Sequence, residues 1–301
     1  MAQDKKVSII GAGPAGISAG IYLKRVGLDP VIIEKEHIGG LIRNASLVEN
    51  YPGFPKGIKG LELAELFKNQ LERVDVSVIK TNVDHIDYRK GSFIVKTNND
   101  TIISRVVIVA SGTKPKKTRF NGCSSLLEGK YLFYEPYSIP IKKRGCRVAI
   151  VGGGDIAFDY ALTLLDNNCC IDILCRSQPR CIPILKSRVE NRDVNIHCNC
   201  NIHRVGVLHD NVIVDYTKNG KRCTSQTDYI LVACGREPDI NFLSDSLKKA
   251  YESCTNIPIT SVPGLYFVGD VIRGSYRQVG ISVGDGIHAA MLADEFIRGG
   301  A

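Results

Sequence analysis

The chain has 301 residues, of which 44% are hydrophobic, and it carries a formal net charge of +8. This length exceeds what one hydrophobic core usually serves, so we expect two globular domains. No apolar run reaches about 18 residues and no basic run is interleaved with aromatic residues, so the sequence predicts neither a membrane span nor a nucleic-acid-binding surface.

The cysteine content predicts a reducing compartment. The eleven cysteines are an odd number without the spacing of a disulfide framework, and only six residues precede the first strand-like segment VSII, too few for an export signal. We therefore expect a cytoplasmic protein with reduced thiols.

Three groups of cysteines could carry chemistry. Cys169 and Cys170 are adjacent and are interpreted as buried thiols, because a vicinal disulfide would be strained. Cys198 and Cys200 fall on one face of a predicted continuous strand, and the neighbouring histidines, His197 and His203, fall on the other, so no metal site is predicted. For Cys175 and Cys181, which flank a predicted cofactor loop, a redox or regulatory role stays open.

The N-terminal segment predicts a dinucleotide-binding unit. A short apolar strand at residues 7–10 leads directly into Gly11-x-Gly13-x-x-Gly16 and then into an amphipathic helix. The first glycine permits the tight turn, the second lets a pyrophosphate approach the backbone, and the third lets helix and strand pack closely. The next strand carries Glu34, 23 residues beyond Gly11, where a carboxylate would bind ribose hydroxyls.

A second unit of the same kind follows. A strand over Arg147–Val151 leads into Gly152-x-Gly154-x-x-Ala157 and a helix that we expect to end near Leu165. Applying the same offset of 23 residues places Cys175 at the ribose position, followed by Arg176 and Arg180. A missing carboxylate beside arginines favours a 2′-phosphate, hence NADPH over NADH, although a solvated loop would also contain arginines.

The two units share a second motif. Residues 105–115 read RVVIVASGTKP and residues 229–238 read YILVACGREP, two buried runs that end in Ala-x-Gly-x-x-Pro. A continuous apolar run is typical of a strand covered on both faces. The duplication predicts two dinucleotides, one in each unit.

These motifs, together with GGL, VENYPGF, GLYFVGDV and YRQVGISVGDGIHAA, resemble the low-molecular-weight thioredoxin reductases and the thioredoxin-reductase-type ferredoxin-NADP reductases. The resemblance implies an α/β fold with two Rossmann-like, three-layer ββα domains. It implies an FAD domain formed by residues 1–113 and 241–301, an inserted NAD(P)H domain at 114–240, and hinges near residues 112–117 and 237–241. It also implies a homodimer with the last helix near its interface.

The resemblance also implies the cofactor-binding residues. For FAD they are Gly11, Gly13, Pro14, Ala15, Gly16, Glu34, Lys35, Gly40, Leu41, Asn50, Gly112, Gly269, Asp270, Arg277, Gln278 and Val279, with Glu34 on the ribose, Asn50 near the flavin and Asp270 on the ribityl chain. For NADPH they are Gly152, Gly154, Asp155, Ile156, Arg176, Arg180 and Gly235.

One motif of the thioredoxin reductases is missing. Those enzymes carry a Cys-x-x-Cys pair before the second glycine motif, because a flavin reaches a protein disulfide through a dithiol. Glu135 and Ser138 stand at those positions, and no two cysteines of the chain have that spacing. Direct reduction of thioredoxin is therefore doubtful, and no side chain is predicted to be catalytic.

The sequence thus predicts an enzyme in which NADPH delivers hydride to FAD, and reduced FAD passes electrons to an acidic carrier such as ferredoxin or flavodoxin, steered by the positive net charge. Two alternatives stay open. One is an atypical thioredoxin reductase or disulfide-linked enzyme, and the other is a flavin-binding sensor or subunit whose second unit is vestigial or holds a second flavin.

Overall fold

The computed structural model describes residues 3–118, 120–122, 127–142, 144–192, 194–254 and 259–299. The chain divides into two compact units, one formed by Met1–Arg43, Val48–Lys114 and Glu237–Ala301, the other by Asn44–Leu47 and Pro115–Arg236. The short segment Asn44–Leu47 groups with the second unit, although the predicted domain limits placed it in the first.

The first unit is an α/β layer structure. Its strands are β1 (Gln3–Ile10), β2 (Val31–Glu34), β3 (Ser77–Lys80), β4 (Val83–Arg89), β5 (Ser92–Thr97), β6 (Thr101–Val109) and β17 (Leu265–Phe267), and its helices are α1 (Pro14–Arg25), α2 (Gly60–Arg73), α5 (Asp245–Glu252) and α6 (Val279–Arg298). The strands form one sheet in the order β3-β2-β1-β6-β5-β4, with β17 also beside β6. Strands β3, β2, β1, β6 and β17 are parallel, as in a Rossmann fold.

The second unit repeats this arrangement. Its strands are β8 (Leu132–Phe133), β9 (Arg147–Val151), β10 (Cys170–Leu174), β11 (Val194–His197), β12 (Cys200–Leu208), β13 (Asn211–Lys218), β14 (Lys221–Thr227) and β15 (Tyr229–Val232), and its helices are α3 (Asp155–Asp166) and α4 (Pro183–Glu190). The parallel sheet has the order β11-β10-β9-β15-β8, and β12, β13 and β14 form a separate antiparallel sheet.

Two cores show that the second unit has three layers. Phe158 of α3 packs against Ile150 and Ile171 of the parallel sheet, and Val214 of the antiparallel sheet belongs to a core with Ile230 on the other face. Helices, parallel sheet and antiparallel sheet are thus stacked in that order. The predicted α/β class with Rossmann-like units is confirmed.

The two Ala-x-Gly-x-x-Pro motifs end in strands that pair with each other. Strand β7 (Thr113–Pro115) pairs with β16 (Arg236–Pro238), and the Lys116 N–H donates to the carbonyl of Gly235 at 3.0 Å. These are the segments through which the chain leaves and re-enters the first unit.

The predicted continuous strand through Cys198 and Cys200 was wrong. Strand β11 ends at His197 and β12 begins at Cys200, and between them Asn199 has φ of 56°, a left-handed conformation that interrupts a strand. The Cys200 N–H donates instead to the carbonyl of Cys175. Within the described part of the chain, no helix is both long and apolar enough to cross a membrane.

Helix α6 packs against α1 with almost no space between the backbones. A Cβ added at Gly286 would lie 2.1 Å from the carbonyl oxygen of Ala15 and 2.3 Å from Oγ of Ser18. The Ser18 hydroxyl donates to the carbonyl of Val283 at 3.0 Å, which holds the helices together. Close contact at this point requires glycine.

We expect Gly286→Ala to lower the free energy of unfolding by about 2 kcal/mol, because backbone must move to admit the methyl group. Gly284→Ala is the matched control on the same helix, since its added Cβ would meet nothing within 4 Å. That control should be neutral or slightly stabilising. Urea unfolding of both variants measures the difference, and equal losses would contradict the packing argument.

Candidate functional site

The turn after β1 has the geometry of a phosphate-binding loop. Gly11 has φ of +104°, and a Cβ there would lie 2.5 Å from the carbonyl oxygen of Ala110. A Cβ at Gly16 would lie 1.9 Å from the carbonyl oxygen of Gly11, whereas a Cβ at Gly13 would meet nothing within 4 Å. Helix α1 then begins at Pro14, followed by Ala15, and no side chain caps its N-terminus. The open side at Gly13 and the uncapped helix end fit a pyrophosphate.

Glu34 is held beside this turn at the end of β2. Its Oε2 accepts the N–H of Ala12 at 2.7 Å, its Oε1 accepts the N–H of Glu36 at 2.8 Å, and the residue is buried. The carboxylate is therefore fixed in position, as a ribose-binding acid requires.

The segment with Gly40 and Leu41 borders the same turn. A Cβ at Gly40 would lie 3.2 Å from Cα of Gly13, and the Gly39 N–H donates to the carbonyl of Ala12 at 2.7 Å. The structure thus brings these residues, separated by about 27 positions, into one cradle.

Three predicted residues lie together at the start of α6. The Asn50 amide donates to Oε1 of Gln278 at 2.7 Å, and Gln278 is the N-cap residue of α6, which begins at Val279. Next to them, Nε of Arg277 is buried and has no hydrogen-bond partner among the described residues. A buried, unpaired guanidinium N–H is costly unless a ligand accepts it. With the open glycine cradle, this orphaned donor shows that the residues present fit FAD.

The predicted ribityl-binding turn at Gly269 and Asp270 is clamped to α6. Oδ2 of Asp285 accepts the Gly269 N–H at 3.1 Å and Nε of Arg273 at 2.8 Å, and its Oδ1 accepts the second guanidinium donor of Arg273. The Ser282 hydroxyl donates to Oδ1 of Asp270 at 3.3 Å. Sequence reasoning missed Asp285 and Arg273, whose pairing has no spacing signature.

Lys35 and Gly112 lie beside Asp239. Nζ of Lys35 forms an ion pair with Oδ2 of Asp239 at 2.7 Å, and the carbonyl of Gly112 accepts the Asp239 N–H at 3.2 Å. The Ser111 hydroxyl also donates to the Asp239 carbonyl at 2.7 Å. These bonds explain why Asp239 groups with the first unit.

The second glycine turn repeats the first. A Cβ at Gly152, which has φ of +150°, would lie 2.6 Å from the carbonyl oxygen of Ala233, and Gly154 is the N-cap of α3 without a side-chain cap. The Arg180 N–H donates to the carbonyl of Gly153 at 2.7 Å, which ties the following loop to the turn. Gly235, also predicted here, has φ of +110°.

Cys175 occupies the place of Glu34 with the opposite hydrogen-bond polarity. Its thiol donates to the carbonyl of Gly152 at 3.3 Å, whereas Glu34 accepts an N–H from its own turn. Burial raises the pKa of Cys175 to about 12, so its thiolate is scarce at neutral pH and it is a poor redox nucleophile. Arg176 and Arg180 are both exposed at this end of the sheet.

Two aspartates of α3 are held by backbone N–H groups. Oδ1 of Asp155 accepts the N–H of Ile182 at 2.8 Å, beside the partly exposed Ile156. Asp159 accepts the N–H of Ser46 with both carboxylate oxygens, at 3.2 and 3.1 Å. Burial raises the pKa of Asp159 to about 6, and this bond and the nearby Asp155 modify it less. These bonds group Asn44–Leu47 with the second unit.

The positions of the missing dithiol are structurally ordinary. Glu135 precedes a short 3₁₀ helix over Pro136–Ser138 and forms an ion pair with the buried Arg236 at 3.7 Å. Ser138 is exposed and donates its backbone N–H to the carbonyl of Glu135. In the part of the chain that the structure describes, no three His, Cys, Asp or Glu side chains are placed to hold a metal ion.

Residues 5–286 match the sequence profile of the pyridine nucleotide-disulphide oxidoreductases, and the chain belongs to this family. It is 28% identical to the thioredoxin reductase of Buchnera aphidicola subsp. Acyrthosiphon pisum, with 98% of each chain covered. It is also 28% identical to a "34.2 kDa protein in rubredoxin operon" of Clostridium pasteurianum, covering 99% of this chain and 100% of that protein.

Among solved structures, the thioredoxin reductase of Lactococcus lactis superposes with a TM-score of 0.89 at 26% identity, covering 98% of this chain and 99% of that one. The protein is thus an FAD-dependent oxidoreductase of the thioredoxin reductase type that uses a pyridine nucleotide.

We expect Asp285→Asn to weaken FAD binding by about tenfold, because the amide cannot accept from both Arg273 and the Gly269 N–H as a carboxylate does. Fluorescence titration of the apoprotein with FAD measures this. Asp294→Asn is the matched control, since it breaks the partly exposed Asp294–Arg298 pair on the same helix. Equal affinities of all three proteins would contradict a role of the clamp.

Asp159 makes the free energy of unfolding depend on pH, and the direction of this dependence follows from its raised pKa. Because its pKa is higher in the folded than in the unfolded chain, the folded state is favoured at low pH and loses this contribution as the pH rises through about 6. Asp159→Asn should therefore stabilise the protein by about 2 kcal/mol at pH 8 and hardly at pH 4. Urea unfolding at both pH values, with exposed Asp166→Asn as control, tests this, and a pH-independent effect would contradict it.

Proposed function

We propose that the protein transfers electrons from NADPH through FAD to an acidic one-electron carrier such as ferredoxin or flavodoxin. The observation that carries this proposal is the replacement of the family's dithiol by Glu135 and Ser138. Without a dithiol at that position, electrons on the flavin have no internal thiol relay to a protein disulfide.

The site of the replaced dithiol is stabilised as an ion pair. Arg236 is largely buried, and Glu135 supplies its opposite charge. A cysteine at position 135 would remove this ion pair from a largely buried guanidinium, which is destabilising. The segment therefore supports a structural use of these positions rather than thiol chemistry.

The positive charge is concentrated in one unit. Residues 44–47 and 115–236 contain 18 Lys and Arg against 11 Asp and Glu, so this unit carries 18 − 11 = +7 of the net charge of +8. The remaining 21 Lys and Arg and 20 Asp and Glu leave the first unit at +1. Such a field raises the encounter rate with an acidic partner at low salt.

The relatives support two acceptor classes. The name of the clostridial relative refers to a rubredoxin operon, which favours a small electron carrier. The name of the Buchnera relative is thioredoxin reductase, which keeps reduction of a protein disulfide, through an external dithiol, as a second candidate. The absent dithiol favours the first.

NADPH is proposed as the electron donor because of the residues after β10. Cys175 leaves no acceptor for a ribose hydroxyl, and Arg176 and Arg180 supply two exposed guanidinium groups for a 2′-phosphate. When bound, FAD supplies the hydride-accepting and electron-transfer chemistry. The chain's own residues bind and orient the two dinucleotides, and none is assigned as an acid or base.

We also propose a homodimer and a cytoplasmic location. Helix α6 exposes Ile281, Ile287 and Met291, which supports an interface at this helix, and sedimentation of the holoprotein as a monomer would contradict it. The proposed reducing compartment rests on the eleven cysteines, an odd number without the spacing of a disulfide framework.

The experiment is an anaerobic titration with NADPH and, separately, NADH, followed by the flavin absorbance at about 450 nm. We expect rapid bleaching by NADPH and reoxidation by ferredoxin but not by thioredoxin. The ferredoxin rate should fall about tenfold from low to high salt, while the rate with a neutral quinone stays constant. Reoxidation by thioredoxin alone, or a salt-independent ferredoxin rate, would contradict the proposal.

Replacing two arginines tests the proposed binding of NADPH, the electron donor. Replacing Arg176 and Arg180 together by glutamine should raise the Kd of NADPH at least about tenfold and leave that of NADH nearly unchanged. Arg192→Gln, on the exposed Asp166–Arg192 pair of the same unit, is the control. Unchanged NADPH affinity would leave the second unit without its proposed ligand.

A further inference from the structure

Cys146 and Cys169 lie side by side at the start of two neighbouring strands. Strands β9 and β10 are parallel with Arg147 opposite Cys170, and the Cys170 N–H donates to the carbonyl of Cys146 at 2.8 Å. One residue before that pair, Cys146 therefore stands opposite Cys169. Neighbouring strands are about 4.8 Å apart, within the Cα separation of disulfides.

The two thiols point into the same core. Cys146 and Cys169 are both buried in the cluster beneath α3, and their side chains are hydrogen-bonded to each other. The interpretation of Cys170 as a buried thiol was wrong: Cys170 is exposed, because successive side chains of a strand alternate between faces. The geometry thus selects Cys169, not Cys170, as the partner of Cys146.

A cavity borders Cys146, one of the two cysteines. It has a volume of about 190 Å³ and is lined by Lys142, Cys146, Asp228 and Tyr229. A hydroperoxide molecule fits such a volume, and Cys146 is the cysteine of the pair that lines the cavity. Burial raises the pKa of the Cys169 thiol, so this thiol is poorly suited to make the first attack.

We propose that Cys146 and Cys169 form a reversible disulfide when the protein meets a hydroperoxide. The thiolate of Cys146 attacks hydrogen peroxide, so that the O–O bond breaks, a sulfenic acid forms and one water leaves after protonation. The sulfur of Cys169 then displaces the hydroxyl group, which leaves as a second water with the Cys169 proton. Two thiols and one peroxide thus give one disulfide and two waters.

This disulfide does not replace the missing dithiol. Cys146 lies at the N-terminal end of β9 and the glycine turn at the C-terminal end, so the five residues of the strand, about 17 Å, separate the sulfurs from the dinucleotide turn. The bond would close the loop formed by residues 146–169, which contains β9, the glycine turn and α3. Oxidation would therefore cross-link the nucleotide-binding half of the second unit without altering its ligand contacts.

The experiment treats the holoprotein with hydrogen peroxide, blocks remaining thiols with iodoacetamide and digests it with trypsin without reduction. We expect tryptic peptide 145–147 linked to peptide 148–176, lighter than their sum by two hydrogens and separated again by dithiothreitol. Cys170→Ser should retain the link, and Cys146→Ser and Cys169→Ser should each abolish it. A link that survives in Cys169→Ser, or no link once other thiols are oxidised, would overturn the proposal.

Thermal unfolding provides a second measurement. Oxidation should raise the Tm of the wild type and of Cys170→Ser by several degrees and leave that of Cys146→Ser unchanged. The Kd of NADPH should change less than twofold on oxidation. An unchanged Tm in the linked wild type, or a large loss of NADPH affinity, would contradict a stabilising cross-link remote from the ligand. These outcomes are independent of which carrier accepts the electrons.

Discussion

The close approach of each glycine turn to the helix and strands around it is the constraint on which both sites depend. At Gly16 an added methyl group would lie 1.9 Å from the carbonyl oxygen of Gly11, and at Gly152 it would lie 2.6 Å from that of Ala233. Because these backbones touch, the N-termini of α1 and α3 face the space in front of the sheet with their N–H groups uncapped. An anion placed there meets several donors and the positive end of a helix dipole.

The two units share this turn geometry, but the side chains beside the turn differ in charge. In the first, Glu34 adds a carboxylate that is already bound to the turn, which suits the hydroxyls of a ribose. In the second, the buried thiol of Cys175 takes that place and the neighbouring charges are Arg176 and Arg180. Under the proposed function, the first unit offers an acidic side chain to its ribose and the second unit offers basic ones. The excess of positive charge in the second unit has the same sign as these arginines.

Long-range pairs hold these surfaces in place. Asp285 joins α6 to the turn before Asp270, and Asp159 binds the backbone of Ser46, which is more than a hundred positions away in sequence. Each pair contains a carboxylate that burial would destabilise unless donors faced it. Where donors are a guanidinium and an N–H, as at Asp285, the carboxylate is well compensated. At Asp159 both carboxylate oxygens share a single N–H donor, and the pKa of this carboxyl group rises.

The sequence by itself determined the features that depend on local spacing. The glycine turns, Glu34, the helix that follows each turn and the missing dithiol are all defined by offsets within about 25 residues, because a strand, a tight turn and a helix are contiguous in the chain. The break at Asn199 escaped this reasoning, since a single left-handed residue leaves the apolar pattern almost unchanged.

Only the tertiary structure decided which distant side chains meet. The clamp of Arg273 on Asp285, the ion pair of Lys35 with Asp239 and the register of Cys146 against Cys169 join elements through strand order and helix packing. No periodicity in the chain encodes these partners, because the same residues could face solvent or a different element in another topology. The physical reason is that local spacing specifies elements, whereas burial and pairing between elements are properties of the assembled core.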